Sequence, residues 1–502
     1  VTLSEDRTGV ERDEAALGRT AARAVMWNYL SFASGKLLVL ATMAVLARLL
    51  TPQEFGIVAF AMVAVNWLGV LKDLGLGGAI IQRREDTEEA AQTVYVLNLA
   101  MSALLTAGTA LAAPAVAAFF REPLVVPILR VLAFTFLIQA LGAVHVVLLR
   151  RNLDFRRKLV PDVGQAVVKG IASVAFALAG FGVWALVWGQ LIGALASSIL
   201  AWRVLPWKPR FRLHRRLVRP LVHFGMPLML VEIQAAVWSN LDYLVVGRML
   251  GDTALGVYTL AYRLPELLIL SIWRVLGAAI FPFFSSIQRF PDLIRKGFLA
   301  TIRYSQIAVV PLCVGLFITA GPAVEVLFGE QWHAAIPVLR LLAVFALVGS
   351  IGVNIGDVYK AIGRPDLLAK LAFLELALLT PALILGARHG LIGIAAAHAV
   401  VAAIDTAIRL TVARRFVSVT FRDIGRQLLP SLLAGAALAV VASGALWAAS
   451  AAGPAAALAA AVTAGGTAYF TVLYRVDREA VRRLAGWIGL RRRAPAVEEV
   501  GS

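Results

Sequence analysis

The chain has 502 residues, 60% of them hydrophobic and only 16% charged, and its 48 Lys and Arg against 30 Asp and Glu leave a formal net charge of +18. A soluble protein is about 45–50% apolar and ~25% charged, so this composition points to a lipid solvent and excludes an ordinary soluble fold. A single cysteine, Cys313, lies in an apolar run, which excludes an intrachain disulfide and leaves no thiolate set for a metal.

In chain order, residues 1–23 form a polar tail, VTLSEDRTGVERDEAALGRT and onward, with no apolar core, so no cleaved signal peptide is expected there. Fourteen apolar segments follow, punctuated by Pro, Gly and charge, each able to supply the ~20 residues that span a bilayer as a helix. They fall at 24–50, 55–81, 92–118, 124–149, 161–180, 182–205, 221–249, 254–287, 298–320, 336–361, 366–387, 390–415, 427–450 and 454–475. A basic tail, 476–502, ends the chain. The expected fold class is an all-α polytopic membrane protein with about 14 transmembrane helices.

Charge supplies the direction. With the N-terminus placed inside, about 35 of the 48 basic residues fall on the inner side, in stretches such as RRNLDFRRK (150–158) and RVLPWKPRFRLHRRLVR (203–219). Only Arg48, Arg121, Arg248 and Arg388 fall outside, and the other nine sit within apolar segments. The cations therefore face anionic headgroups rather than nucleic acid, and both termini are expected in the cytoplasm. The stretch 206–220 reads either as a charged loop or as a helix on the membrane surface, since Phe211, Leu213, Leu217 and Val218 are interleaved with Arg.

The chain also repeats itself. ARLLTPQEFGIVAFA at 47–61 returns as GRMLGDTALGVYTLA at 247–261, and nine of the 34 positions from 47 to 80 match those 200 residues on, Gly56 with Gly256 among them. Six helices separate the copies, which restores the same orientation, so the repeat is parallel rather than inverted. The expectation is two pseudo-symmetric six-helix lobes around a central cleft, residues 24–205 and 221–415. The linker 206–220 joins them, and 416–475 adds two further helices. Rocking such lobes is the logic of a transporter.

Ionisable groups inside spans are costly and mark pathways or pairs. Segment 1 carries Asn28 and Lys36, segment 2 Lys72 and Asp73, segment 7 Glu232 and Asp242, and segment 8 Arg263, Glu266 and Arg274. Arg263 and Arg274 stand three helical turns apart, about 16 Å on one face, and Glu266 is spaced to pair with Arg263. Two readings stay open. Either the cations meet an anionic substrate, arginine being suited to phosphate, or they are neutralised by Asp73, Glu232, Asp242, Glu266, Asp357, Glu375 and Asp405. Lys169, Arg303 and Arg340 are secondary candidates. No Walker loop, HExxH or CxxC occurs, so neither ATP hydrolysis nor a metal centre is expected. The outer loops are short, which disfavours a membrane glycosyltransferase or polymerase.

ARLLTPQEFGIVAFA with LKDLGLGGAIIQRRE (71–85), and SNLDYLVVGRMLGDTALGVYTLAYRLPELL (239–268), resemble the corresponding helix pairs of bacterial polysaccharide-repeat flippases of the Wzx type. These belong to the multidrug/oligosaccharidyl-lipid/polysaccharide superfamily. The resemblance implies a non-enzymatic, cofactor-free protein of the inner membrane. It would move an undecaprenyl-pyrophosphate-linked oligosaccharide to the outer leaflet by alternating access, for exopolysaccharide or O-antigen synthesis. It further implies that helices 1, 2, 7 and 8 line a cationic cavity. Arg263 and Arg274 then become candidates for the pyrophosphate and Lys36 for phosphate or sugar, with Asn28, Lys72 and Arg303 as further substrate contacts. Asp73, Glu232, Asp242 and Glu266 become coupling or structural groups. Proton or sodium coupling, surrounding lipids, and a polymerase with its chain-length machinery are the expected partners. A lipid II flippase and a cation-coupled drug antiporter are the alternatives within the superfamily.

Overall fold

The computed structural model describes residues 35–270, 272–273, 280, 283–352 and 355–487. Every regular element among them is helical. Twelve helical stretches among the described residues are long and apolar enough to cross a membrane, and they coincide with expected segments 2–7 and 9–14. Segments 24–50 and 254–287 lie only partly within the described residues. The first appears as α1 (35–49) and the second as α9 (Asp252–Pro265), continued by a π-helical turn at Glu266–Leu270.

The chain divides into two compact units, Val1–Thr259 and Leu260–Ser502. The first holds α1, then α2 (Pro52–Gly69) and the short α3 (Leu76–Gln82), which together make one span, followed by α4 (Thr87–Phe120), α5 (Val125–Arg151), α6 (Phe155–Leu178), α7 (Val183–Val204) and α8 (Arg215–Leu250). It also takes in the opening turns of α9, so the stretch 206–220 lies inside this unit. The second unit holds α10 (Pro291–Phe328), α11 (Ala335–Gly352), α12 (Ile355–Ala361), α13 (Pro365–Ala387), α14 (Gly390–Val417), α15 (Phe421–Ala448), α16 (Pro454–Val476) and α17 (Arg478–Trp487).

Helix starts follow local chemistry. Thr51 closes a capping box with Glu54 and Pro52 takes the first helical position, so α2 begins where two orphan N–H donors are satisfied and a third is missing. Thr420 and Asp423 repeat the box at α15. Leu76, Ala79, Ile80, Val94, Tyr95, Val144, Leu148, Leu217 and Leu221 form a core at one end of the first unit. In the second unit Ile307 and Val310 of α10 pack against Ala434 and Leu438 of α15 and Tyr469 and Leu473 of α16, so the two added helices share a core with α10.

Of the two readings of 206–220, the surface helix does not form: residues 206–214 are non-helical, and α8 begins at Arg215. The reason is a set of tethers to α4. Trp207 donates its indole N–H to Glu88 at 3.0 Å, and the backbone N–H of His214 donates to Thr93 Oγ1 at 3.2 Å. Arg216 pairs with Asp86 at 3.3 Å and also with Glu89. Pinned at both ends, the segment stays extended.

Candidate functional site

The span made by α2 and α3 breaks past its middle. Val70–Lys72 tightens into a 3-10 turn, Leu74 and Gly75 take left-handed φ of 47° and 69°, and the helix restarts at Leu76. Asp73 compensates the break: one carboxylate oxygen accepts from the Gly77 N–H at 3.3 Å, the other from the Asn98 amide at 3.2 Å. A Cβ on Gly77 would lie 2.8 Å from that carboxylate, so the cap requires the glycine. The freed backbone packs on α8, where a Cβ on Gly75 would overlap the Gly225 carbonyl and one on Gly225 the Leu74 carbonyl. Broken helices are tolerated in lipid where neighbours cover the opened backbone, and Gly225 provides that cover.

Lys72 sits on the break. Its ammonium donates to Gln139 Oε1 of α5 at 2.7 Å, and both residues are half-buried. One turn before each, a Cβ on Gly69 would lie 3.6 Å from the Phe136 ring, so the small residue lets α2 approach α5 closely enough for the contact.

Along α8 the polar residues divide. Asp242, 4% exposed, accepts from the Tyr258 hydroxyl at 2.7 Å and from the Tyr243 N–H at 2.9 Å. Ser239 and Asn240 bond back to the carbonyls of Ala235 and Ala236. Glu232, by contrast, is exposed in the middle of this span. A carboxylate at that depth is tolerated against water or a partner rather than against hydrocarbon.

Where α2 meets α9 the repeated sentence acquires a structural reason. A Cβ on Gly56 would overlap the Asp252 carbonyl, and one on Gly256 would overlap the Pro52 carbonyl and fall 3.1 Å from the Gly56 nitrogen. The contact pairs each glycine with the residue that opens the other helix, so it is two-fold in form. Gln53 adds a hydrogen bond to Asp252 at 2.9 Å. The first turns of α2 and α9 thus meet backbone to backbone, and only glycine at both positions permits it.

In the second unit several of the described cations are engaged. Arg263 pairs with Glu266 at 2.7 Å, the i,i+3 partner its spacing allows. Arg303 holds Asp477 through two hydrogen bonds, the Nε one at 2.7 Å, and Asp477 Oδ1 also accepts from the Ala480 N–H that opens α17. Arg409, 8% exposed, bridges Glu375 at 2.9 Å and Asp405. Arg340 stacks over Phe317 at 6.0 Å. Lys36 is half-buried on α1, whereas Asn28 and Arg274 lie outside the described residues.

The structure therefore brings Lys72 and Asp73 together at one break, Asp242 to Tyr258 in the middle of α9, and Arg263 to Glu266. It takes Arg303 to the end of α16. Gln139, Asn98, Tyr258 and Gly225 were not among the sequence candidates. Gln139 and Asn98 carried a signal, as polar residues inside LAFTFLIQALGAV and TVYVLNLAMSALL.

A helical polytopic fold with a cation at a broken span and a repeated helix pair defines a membrane transporter architecture. The model of the polysaccharide biosynthesis protein family matches residues 45–337. The chain belongs to that family, and it is a multi-pass protein of the inner membrane. It is 27% identical to the teichuronic acid biosynthesis protein TuaB of Bacillus subtilis, across 68% of this chain and 71% of TuaB. It is 30% identical to the succinoglycan biosynthesis transport protein ExoT of Rhizobium meliloti, across 65% of this chain and 66% of ExoT. The fold is that of the lipid II flippase MurJ in an inward closed conformation, with a TM-score of 0.72 at 14% identity over 92% of this chain and all of that one.

Proposed function

We propose that this protein is a flippase that carries a lipid-linked oligosaccharide, the repeat unit of a surface polysaccharide, from the inner to the outer leaflet. The observation that carries the reading is family membership joined to cationic groups held inside the spans, Lys72 foremost. A family that serves polysaccharide synthesis handles sugars on anionic lipid carriers, and the diphosphate is the part that needs a cation while it crosses. Alternating exposure of that site to the two faces completes the cycle. The undecaprenyl-pyrophosphate carrier, proton or sodium coupling, and a working association with a polymerase and its chain-length machinery belong to this reading.

Lys36, Asn28, Lys72, Arg263 and Arg274 are the proposed substrate contacts. Arg303 is a further proposed contact; it is held by Asp477 in this structure, as Arg263 is by Glu266. Glu232, exposed on α8, is the proposed coupling carboxylate. An anionic head moving outward is helped by an inside-negative potential, worth about 2.3 kcal/mol per charge per 100 mV. Deletion in the source bacterium tests the function. Lipid-linked repeat units should accumulate on the inner face and disappear when the gene is returned. A deletion strain with normal surface polysaccharide and no such accumulation refutes it.

A further inference from the structure

The extended segment 206–214 carries two kinds of residue, and the structure treats them differently. Trp207 and Phe211 lie edge-on to Tyr95 of α4, with ring centroids 6.0 and 5.7 Å away. The Trp207 carbonyl also accepts from the His145 ring of α5 at 3.0 Å. Of the nearby cations, Arg216 is paired with Asp86 and Glu89. Lys208, Arg210 and Arg212 are exposed, and no carboxylate among the described residues pairs with them. The Arg212 N–H donates to the Arg210 carbonyl at 2.7 Å, a tight turn that leaves Phe211 at its tip with an arginine on either side. In spite of its contact with Tyr95, Phe211 is 73% exposed, and Leu213 is 46% exposed.

We infer that this segment is a binding site for anionic phospholipid of the leaflet it borders. Lys208, Arg210 and Arg212 hold headgroup phosphates, and Phe211 with Leu213 reaches the upper acyl carbons. The level of the segment supports this. It crosses α4 between Glu88 and Tyr95, where the apolar run of that helix begins, and meets α5 at His145, about 9 Å before the helix end at Arg151. Exposed aromatic and aliphatic side chains among cations at that level belong to the boundary between headgroups and acyl chains. Arginine takes phosphate through two parallel hydrogen bonds, and each basic residue near an anionic surface strengthens binding about fivefold. The tethers to Glu88 and Thr93 hold the cations in place beforehand, so binding need not order a free loop. An acidic protein would satisfy the charges alone; Phe211 and Leu213 at this depth favour lipid. The site lies outside the spans and does not depend on what the protein transports.

The test uses the full chain with Leu213→Cys carrying an environment-sensitive fluorophore, Cys313 being buried. Nanodiscs of phosphatidylcholine alone are compared with nanodiscs of equal parts phosphatidylcholine and phosphatidylglycerol. Phosphatidylglycerol should shift the emission to the blue, and high salt should reverse the shift, as screening of exposed charge requires. With K208Q/R210Q/R212Q added, less than about a fifth of the shift should remain. F211S should reduce the shift while keeping its salt dependence. Melting temperature and elution volume report folding; should the triple variant fail to fold, R212E decides, with a loss of several-fold expected. Equal emission in the two lipids overturns the proposal, as does a folded triple variant that responds like its parent. A label open to water in both nanodiscs but shielded in native membrane vesicles would assign these cations to an acidic protein, and would overturn it too.

Discussion

Asp242 shows what a buried ionisable residue demands. One of its carboxylate oxygens is held by the Tyr258 hydroxyl sixteen residues on, at 2.7 Å. Removing a partner from a buried charged group costs about 1–3 kcal/mol because the remaining atom cannot recover its lost water. Y258F should therefore lower the melting temperature of the purified protein, whereas D242N, which keeps an acceptor for the hydroxyl, should cost less. Gly77 is the matching case at the other end of the first unit. G77A pushes a methyl against the Asp73 carboxylate, which ends the cap on α3 or displaces α3 itself. Reduced stability together with reduced export is expected, and unchanged melting would show that the cap carries little. The pairing Asp242–Tyr258 was not legible in the sequence. Spacing along one helix reveals i,i+3 and i,i+4 partners such as Arg263 and Glu266, but not a partner across a turn between two helices.

Among the elements, α17 and its anchor carry a clear energetic expectation. Asp477 is buried, caps α17 through the Ala480 N–H, and receives two hydrogen bonds from Arg303 of α10. One pair thus ties the end of α16, the start of α17 and the middle of α10. Breaking a buried ion pair by removing one partner costs about 3 kcal/mol. D477A should loosen α17, read as faster amide exchange over residues 478–487, and R303A should do the same. A double variant no worse than either single would establish the coupling. The segment 206–214 is held in a similar way by Glu88, Glu89 and Thr93. There the alternation of basic and apolar residues suits a surface helix as well as a strap. The carboxylates of α4, more than a hundred residues earlier, decide for the strap.

For the molecule as a whole, the contact of α2 with α9, expected on the outer side from the charge of the loops, is the feature most open to test. Gly56 and Gly256 let two helix starts meet at backbone distance, and Gln53 reaches Asp252 across the junction. A side chain at either glycine must part the helices. In an Ile57→Cys background, a membrane-impermeant maleimide added outside should label slowly because Ile57 is buried beside the junction, and Cys313, also buried, contributes little background. G56L or G256L should speed that labelling several-fold. Equal rates would mean that the close approach does not govern access from outside.

The amino-acid sequence by itself determined the class of protein, the position of twelve spans that the structure describes, and the family. The polarity of the basic loops, read on the same terms, gives the expected direction. Those properties are local or cumulative: a run of apolar residues is a span wherever it folds, and the charge of a loop sums over its own residues. The repeat was legible for the same reason, as a similarity along the chain. Tertiary structure decided which charges are spent and which remain. Arg303 meets Asp477, Arg409 meets Glu375, and Lys72 meets a neutral Gln139. Each outcome depends on which helices lie side by side, and a charge inside a membrane is neutral or available according to a neighbour that its own sequence does not name.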